Sequence, residues 1–280
     1  TIASRSFDRL AFGDHPYASA GEGTVDSVTA LTRDDVITAW KGALARDRVV
    51  IGAAGDITAE ELGLVIDRLL GGLPATGAPQ PGPAPWLLKP GVTVVDFPSP
   101  QSVVYFGHQG IDRDDPDFFA AYLLNEVMAG GRFSSRLMRE VREKRGLTYG
   151  IGTWLIPMDL ADLYLGQFSA SNDKAGPAMD VVKAEWARIA AEGITQQELD
   201  ETKTYLTGSY ALRFSGNGPI AGILAGMQLD HLPIDYVDTR NDKIEAITLE
   251  DVQRVAKRLY QPDQLHFVVV GQPSGLTSTP

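Results

Sequence analysis

"LTRDDVITAWKGALARDRVVIGAAGD" (residues 31–56) and "ITLEDVQRVAKRLYQPDQLHFVVVGQ" (residues 247–272) carry the same pattern twice. Each opens on a threonine, Thr32 or Thr248, that suits a helix N-cap. Each continues at helical apolar spacing and then enters a short apolar run closed by Gly55 or Gly271. A helix followed by a buried strand is therefore expected in both places. The two copies align without a gap, and the match extends back to Asp14-His15 against Asp230-His231. Ten of the 43 positions from 14 to 56 are identical to their counterparts 216 residues later: Asp14, His15, Asp26, Ala30, Thr32, Asp35, Val36, Lys41, Asp47 and Gly55. A long-period repeat of this kind implies two related domains. On that register Thr1 corresponds to Asn217, so the first copy lacks its opening part while the second is whole. The expected organisation is the tail of a first domain (1–73), a linker (74–91) and a complete second domain (92–275). The linker region "GGLPATGAPQPGPAPWLLKP" (71–90) holds six of the 17 prolines and no apolar period, as a spacer should.

Within the second domain, strand-like runs stand at 92–97, 102–109, 147–156 and 163–171. Helical periodicity covers 116–129, 134–145 and most of 175–260. Thr58 with Glu61 and Thr195 with Glu198 have the spacing of capping boxes. Strands gathered early and helices gathered late imply an α+β fold, a largely antiparallel sheet with helices packed on one face.

The 280 residues carry a net charge of -11, which disfavours nucleic acid and anionic membranes as partners. No cysteine is present, so disulfides, thiolate metal sites and a cysteine nucleophile are excluded. The four histidines have no ligand spacing. His15 and His231 fall at equivalent repeat positions that suit a turn, His108 lies in a strand, and His266 precedes an apolar run.

Against this acidic background, "GGRFSSRLMREVREKRGLTYG" (130–150) concentrates five arginines and one lysine. Ser134 is placed to cap its helix, Phe133 to staple onto Met138, and Gly146 to stop it in the left-handed conformation. Leu137, Met138 and Val141 form the inward stripe. Arg139, Glu140, Glu143 and Lys144 lie elsewhere on the circumference, and Arg142 borders the core. Tyr149 follows within the first residues of the next strand. Read on chemistry alone, Arg142 and Tyr149 are either donors to an oxyanion or a peptide carbonyl, or an ordinary wet face followed by a strand tyrosine.

The 130–150 segment resembles the second domain of pitrilysin- and insulysin-type zinc metallopeptidases, especially bacterial members with two similar domains per subunit. "FGDHPYASAGEGT" (12–24) is similar to the closing part of their first domain, and 92–272 to their second. The resemblance implies pitrilysin-like domains, with Arg142 and Tyr149 binding substrate and stabilising the tetrahedral intermediate. The family's zinc motif, H-x-x-E-H, is absent; its nearest echo places Leu123, Glu126 and Val127 at the motif positions. Glu126 reads as a plain helix residue, and no metal ligand or cofactor-binding residue is assigned here. The resemblance thus implies part of a zinc-dependent metalloendopeptidase acting on unfolded or short peptides, inactive by itself, with zinc in the missing half or a partner subunit. Two alternatives are a naturally metal-free subunit paired with a zinc-bearing one, and a noncatalytic scaffold like the core proteins of respiratory complexes. Expected partners are a peptide substrate and the zinc-bearing domain or subunit, in a homo- or heterodimer. The resemblance favours the periplasm.

Overall fold

The computed structural model describes residues 1–279, and they fall into two compact units. One comprises Thr1–Ser19, Gly82–Tyr205 and the chain from Asn241 onward; the other comprises Ala20–Pro81 and Leu206–Arg240. Packing therefore does not divide at the 74–91 linker: residues 1–19 belong with the later sequence, and residues 206–240 with the earlier. Among the described residues, ten α-helices and five strands order along the chain as follows. The helices are α1 Ile2–Phe12, α2 Val25–Ala30, α3 Arg33–Ala43, α4 Ala59–Leu70, α5 Phe118–Met128, α6 Ala175–Glu192, α7 Gln196–Gly208, α8 Asn217–Leu229, α9 Tyr236–Glu245 and α10 Leu249–Leu259. The strands are β1 Gly91–Asp96, β2 Gln101–Gln109, β3 Ile151–Met158, β4 Ala161–Ser171 and β5 His266–Gly271. No helix of the described residues is long and apolar enough to cross a membrane.

The first unit is built on a single sheet in the order β1-β5-β2-β4-β3, with β1 parallel to β5 and every other pairing antiparallel. The α+β expectation holds for the largely antiparallel sheet, but helices cover both of its faces and not one. Successive strand residues face opposite sides, and β5 sorts its side chains accordingly. Phe267 stacks with Phe106, whose ring meets Trp186 of α6, while Val268 and Val270 pack on the other face. On the first face, α6 buries Met179, Val182, Trp186 and Ile189, and α10 buries Val252, Val255, Ala256 and Leu259 at helical spacing. The polar turn before α5 anchors α10, because Arg258 pairs with Asp115 and Asp117 at 2.6 and 2.7 Å.

The second face is closed by α1, from the other end of the sequence. Ala3, Phe7, Ala11 and Phe12 are at most 2% exposed and form one cluster with Leu88, Leu163, Val268 and Val270. Burial of so many apolar side chains is the main stabilising term in such a layer. The segment 92–275 thus shares its core with residues 1–19.

In the second unit, the run at 49–55 expected as a strand is not one; it has no ladder pairing among the described residues. A strand needs hydrogen-bonded neighbours, and what residues 49–55 meet is a helix. Gly52 packs on α8 so closely that a Cβ there would sit 2.0 Å from the Ala221 carbonyl oxygen, and Gln228 of α8 donates to the Ile51 carbonyl at 2.8 Å. The repeat register equates α8 with α1 and 50–55 with β5. The helix of each copy therefore packs on the strand segment of the other, a reciprocal exchange within one chain.

Candidate active site

The segment 130–150 folds by local chemistry that differs from the expected helix at several points. Its regular part is a π-helical turn, Met138–Glu143, in which the Lys144 N–H reaches back five residues to the Arg139 carbonyl at 2.9 Å. Gly146 ends it at φ +57°, as expected of a left-handed stop, and donates to the Arg142 carbonyl at 2.9 Å. Ser134 makes no cap, and Phe133 is no staple. Phe133 is 67% exposed, and the Arg142 guanidinium stands 5.1 Å from its ring centre. Tyr149 also departs from expectation: β3 starts two residues later, so Tyr149 sits in the turn before it.

Glu140, expected on the outer circumference, is 6% exposed and gathers the basic residues around itself. Lys144 and Arg145 reach it at 2.7 and 2.8 Å, and Arg139 at 3.7 Å. The Lys144 and Arg145 hydrogen bonds outweigh burial and hold its carboxyl at about 2. Arg136, itself 6% exposed, makes a two-pronged bond to Glu198 at 2.8 and 2.7 Å. Burial raises the Glu198 pKa, but this fork and the Thr195 cap prevail and bring it to about 2. Most of the basic run is therefore an internal ion-pair network. The sequence signal for it was the i, i+4 spacing of Glu140 and Lys144.

Arg142 differs from Arg136, Arg139 and Arg145: among the described residues it has no carboxylate partner. Its side chain and that of Tyr149 line the same cavity, of about 730 Å³, which opens beside the ends of β2 and β4 at Gln101, Ser171 and Lys174. The turn carrying Tyr149 is held from below. The Thr148 hydroxyl bonds the Ser169 carbonyl of β4 at 2.7 Å and accepts from the Gly150 N–H at 3.2 Å. Lys174, at the start of α6, donates to the Gly146 carbonyl at 3.0 Å. With Thr148 buried and pinned, Tyr149 points outward at 90% exposure and its phenol has no hydrogen-bond partner among the described residues. The structure thus brings both expected residues to one rim, each with unused donors. Such a rim suits a carbonyl or carboxylate oxygen.

The motif positions Leu123, Glu126 and Val127 do not form a zinc site. Leu123 and Val127 are 0% and 3% exposed in the core, and no group of three metal-capable side chains occurs among the described residues. Glu126 does not line the cavity. It is 7% exposed beside Gly130, where a Cβ would sit 2.5 Å from its Oε1, which gives Gly130 a packing reason. Burial raises the Glu126 pKa to about 7 against the attraction of Arg132. The unfolded carboxyl ionises near 4.5 and the folded one near 7, so stability declines as pH rises through that window. Glu126→Gln should therefore be neutral near pH 4.5 and stabilising at pH 8 by about 1–2 kcal/mol, after discounting for solvent screening. Urea unfolding of both proteins at the two pH values checks this.

His15 and His108 are held by structural hydrogen bonds. His15 caps the short turn Pro16–Ala18 by accepting from the Tyr17 N–H and reaches the Gly82 carbonyl at 3.0 Å. His108 bonds the Gln109 carbonyl and accepts from the Trp186 indole N–H, and burial lowers its pKa to about 4.

Comparison with known proteins matches this architecture. The model of the peptidase M16 inactive domain matches residues 30–206. A relative named an uncharacterized zinc protease, from Streptomyces coelicolor, is 26% identical over 261 residues, covering 90% of this chain and 56% of that protein. A Helicobacter pylori relative named a non-peptidase homolog is 23% identical over 269 residues, covering 96% and 62%. The crystal structure of a peptidase M16 inactive domain from Pseudomonas fluorescens superposes with a TM-score of 0.89 at 30% identity, covering all of this chain and 66% of that one. The chain spans little more than half the length of the curated relatives described. With the repeat, the sheet and the matched span in agreement, the chain belongs to the peptidase M16 inactive-domain family.

Proposed function

We propose that this chain is the substrate-binding part of a zinc metalloendopeptidase, taking an unfolded or short peptide at the Arg142 and Tyr149 rim. The observation that carries the reading is the contrast among arginines: three are consumed by Glu140 and Glu198, whereas Arg142 faces the cavity without a carboxylate. A guanidinium and a phenol on one rim donate to a peptide carbonyl in the ground state. They donate more strongly when that oxygen gains charge. The zinc belongs to other polypeptide, in the same protein or a partner subunit, since the residues here do not fit it. Arg142 and Tyr149 hold and polarise the peptide; nothing in this chain activates water.

The test is binding of a fluorescently labelled unfolded peptide to the 280-residue chain, followed by anisotropy. Arg142→Ala should raise Kd by about 10- to 100-fold, the scale of losing a charged hydrogen bond. Arg139→Ala, which removes only a partner of Glu140, should leave Kd within twofold. Equal affinity for wild type and Arg142→Ala would reject the reading.

A second reading, a noncatalytic subunit that pairs with a zinc-bearing one or serves as a scaffold, draws support from the apolar Leu123 and Val127 and from the non-peptidase name of the Helicobacter pylori relative. A scaffold predicts no peptide affinity that depends on Arg142.

A further inference from the structure

The cavity that holds Arg142 and Tyr149 contains a second cation, which the peptide reading leaves unused. Lys174, the residue before α6, lines it together with Gln101 and Ser171, the last register pair of β2 and β4. An exposed lysine ordinarily keeps its long stem mobile, because fixing it costs side-chain entropy. Here the ammonium is tied down: it donates to the carbonyl of Gly146, which lines the same cavity, at 3.0 Å. A carbonyl is neutral, so this contact fixes the cation without cancelling its charge. An ammonium has three N–H donors, and two are left.

Nearby carboxylates do not cancel it either. Glu143 is the one carboxylate that lines the cavity; it is exposed and, among the described residues, makes no ion pair with Arg142 or Lys174. Asp173, next to Lys174, stands exposed outside the lining and accepts from the Ser171 hydroxyl. The lining therefore sets two cations against one anion, in a chain whose net charge is -11. The local excess attracts an anion at close range, whereas the charge of the whole chain repels a polyanion from afar. A single carboxylate meets both conditions.

We infer that Lys174 is a specificity-determining residue that selects peptides bringing one carboxylate into this cavity, either the C-terminal carboxylate or an acidic side chain beside it. The inference rests on the peptide reading of Arg142 and Tyr149 and adds to it. The rim donates to a peptide carbonyl, and Lys174 reads the charge that follows that carbonyl along the peptide. The volume of about 730 Å³ lies in the range of pockets that enclose small ligands, so the carboxylate and the residue bearing it both have room. One added charged hydrogen bond in a cavity open to water should favour the carboxylate about tenfold, the low end for such a bond because water screens it. The substrate class narrows accordingly, from any unfolded peptide to short peptides held near a free C-terminus or a single acidic residue.

Anisotropy on the 280-residue chain tests it, with one uncharged unfolded sequence labelled at its N-terminus and made in three forms: free C-terminal acid, C-terminal amide, and amide with a glutamate next to last. The free acid, the glutamate form or both should bind about tenfold more tightly than the plain amide, and which of them does so tells the terminal carboxylate from the side chain. Lys174→Ala should bring all three Kd values within twofold of the wild-type value for the plain amide. Lys174→Arg, which keeps the charge, should keep the preference. Arg142→Ala should weaken every form. Arg142-dependent binding with equal Kd for the three forms overturns the inference and leaves the peptide reading standing. An equal loss for acid and amide in Lys174→Ala makes Lys174 a prop for the turn at Gly146 and overturns the inference as well. If no form binds in a way that depends on Arg142, the peptide reading falls and the inference with it.

Discussion

Phe7→Ala is expected to lower the unfolding free energy of the sheet unit by about 3–5 kcal/mol, the range for removing a buried aromatic ring. Phe7 is 0% exposed on α1, and its ring tip reaches Gly107 of β2, where a Cβ would lie 3.3 Å away. The effect should appear as a lower urea midpoint with near-unchanged slope, followed through Trp186 in the core of the same unit. Phe133→Ala, at a residue 67% exposed, should change stability by less than about 0.5 kcal/mol. The pair of substitutions also decides how independent the 92–275 segment is. If that segment folded alone, Phe7 would contribute nothing to its midpoint, and an unchanged midpoint would return the domain boundary to the linker.

The other large effect concerns turnover in the complete enzyme of the proposed function. Tyr149→Phe removes one hydroxyl from a side chain that is 90% exposed, so folding should be untouched. If that hydroxyl donates to the developing oxyanion, kcat falls by roughly 10²- to 10³-fold. Arg142→Lys keeps the charge and loses the planar fork, so it also lowers kcat. Arg139→Lys, which retains a cation near Glu140, does not. Rate measurements on a peptide whose cleavage is rate-limiting separate a site effect, which selects two of the three variants, from helix destabilisation, which touches all three. Full kcat in Tyr149→Phe would reduce the phenol to a surface group.

The candidate site was legible in part. Arg142 on the border of the core and the stop at Gly146 follow from helical spacing and from glycine's freedom at positive φ. What spacing did not reveal is that Glu140 turns inward. A buried carboxylate reads as a surface residue until Lys144 and Arg145 are seen to close on it. The exposure of Phe133 was hidden for a similar reason, because its ring partner is a guanidinium and not an apolar side chain.

By itself the sequence determined the local elements. Thr32 with Asp35 and Thr248 with Asp251 make the same reciprocal caps, with backbone N–H to side-chain oxygen distances of 2.9 to 3.2 Å, because a cap involves groups only three residues apart. It also determined the repeat, and the 130–150 segment carried the family resemblance. Tertiary structure showed which copy of the apolar run became a strand. The runs at 50–55 and 266–271 have the same preceding helix, the same turn and the same closing glycine, yet only the second forms a ladder. A helix completes its hydrogen bonds within itself, whereas a strand completes them on neighbours far away in the chain, so related runs have one outcome where β1 and β2 stand alongside and another where α8 does. The exchange of α1 and α8 between the copies has the same origin: both helices carry an apolar face, and only long-range packing selects the surface each one covers.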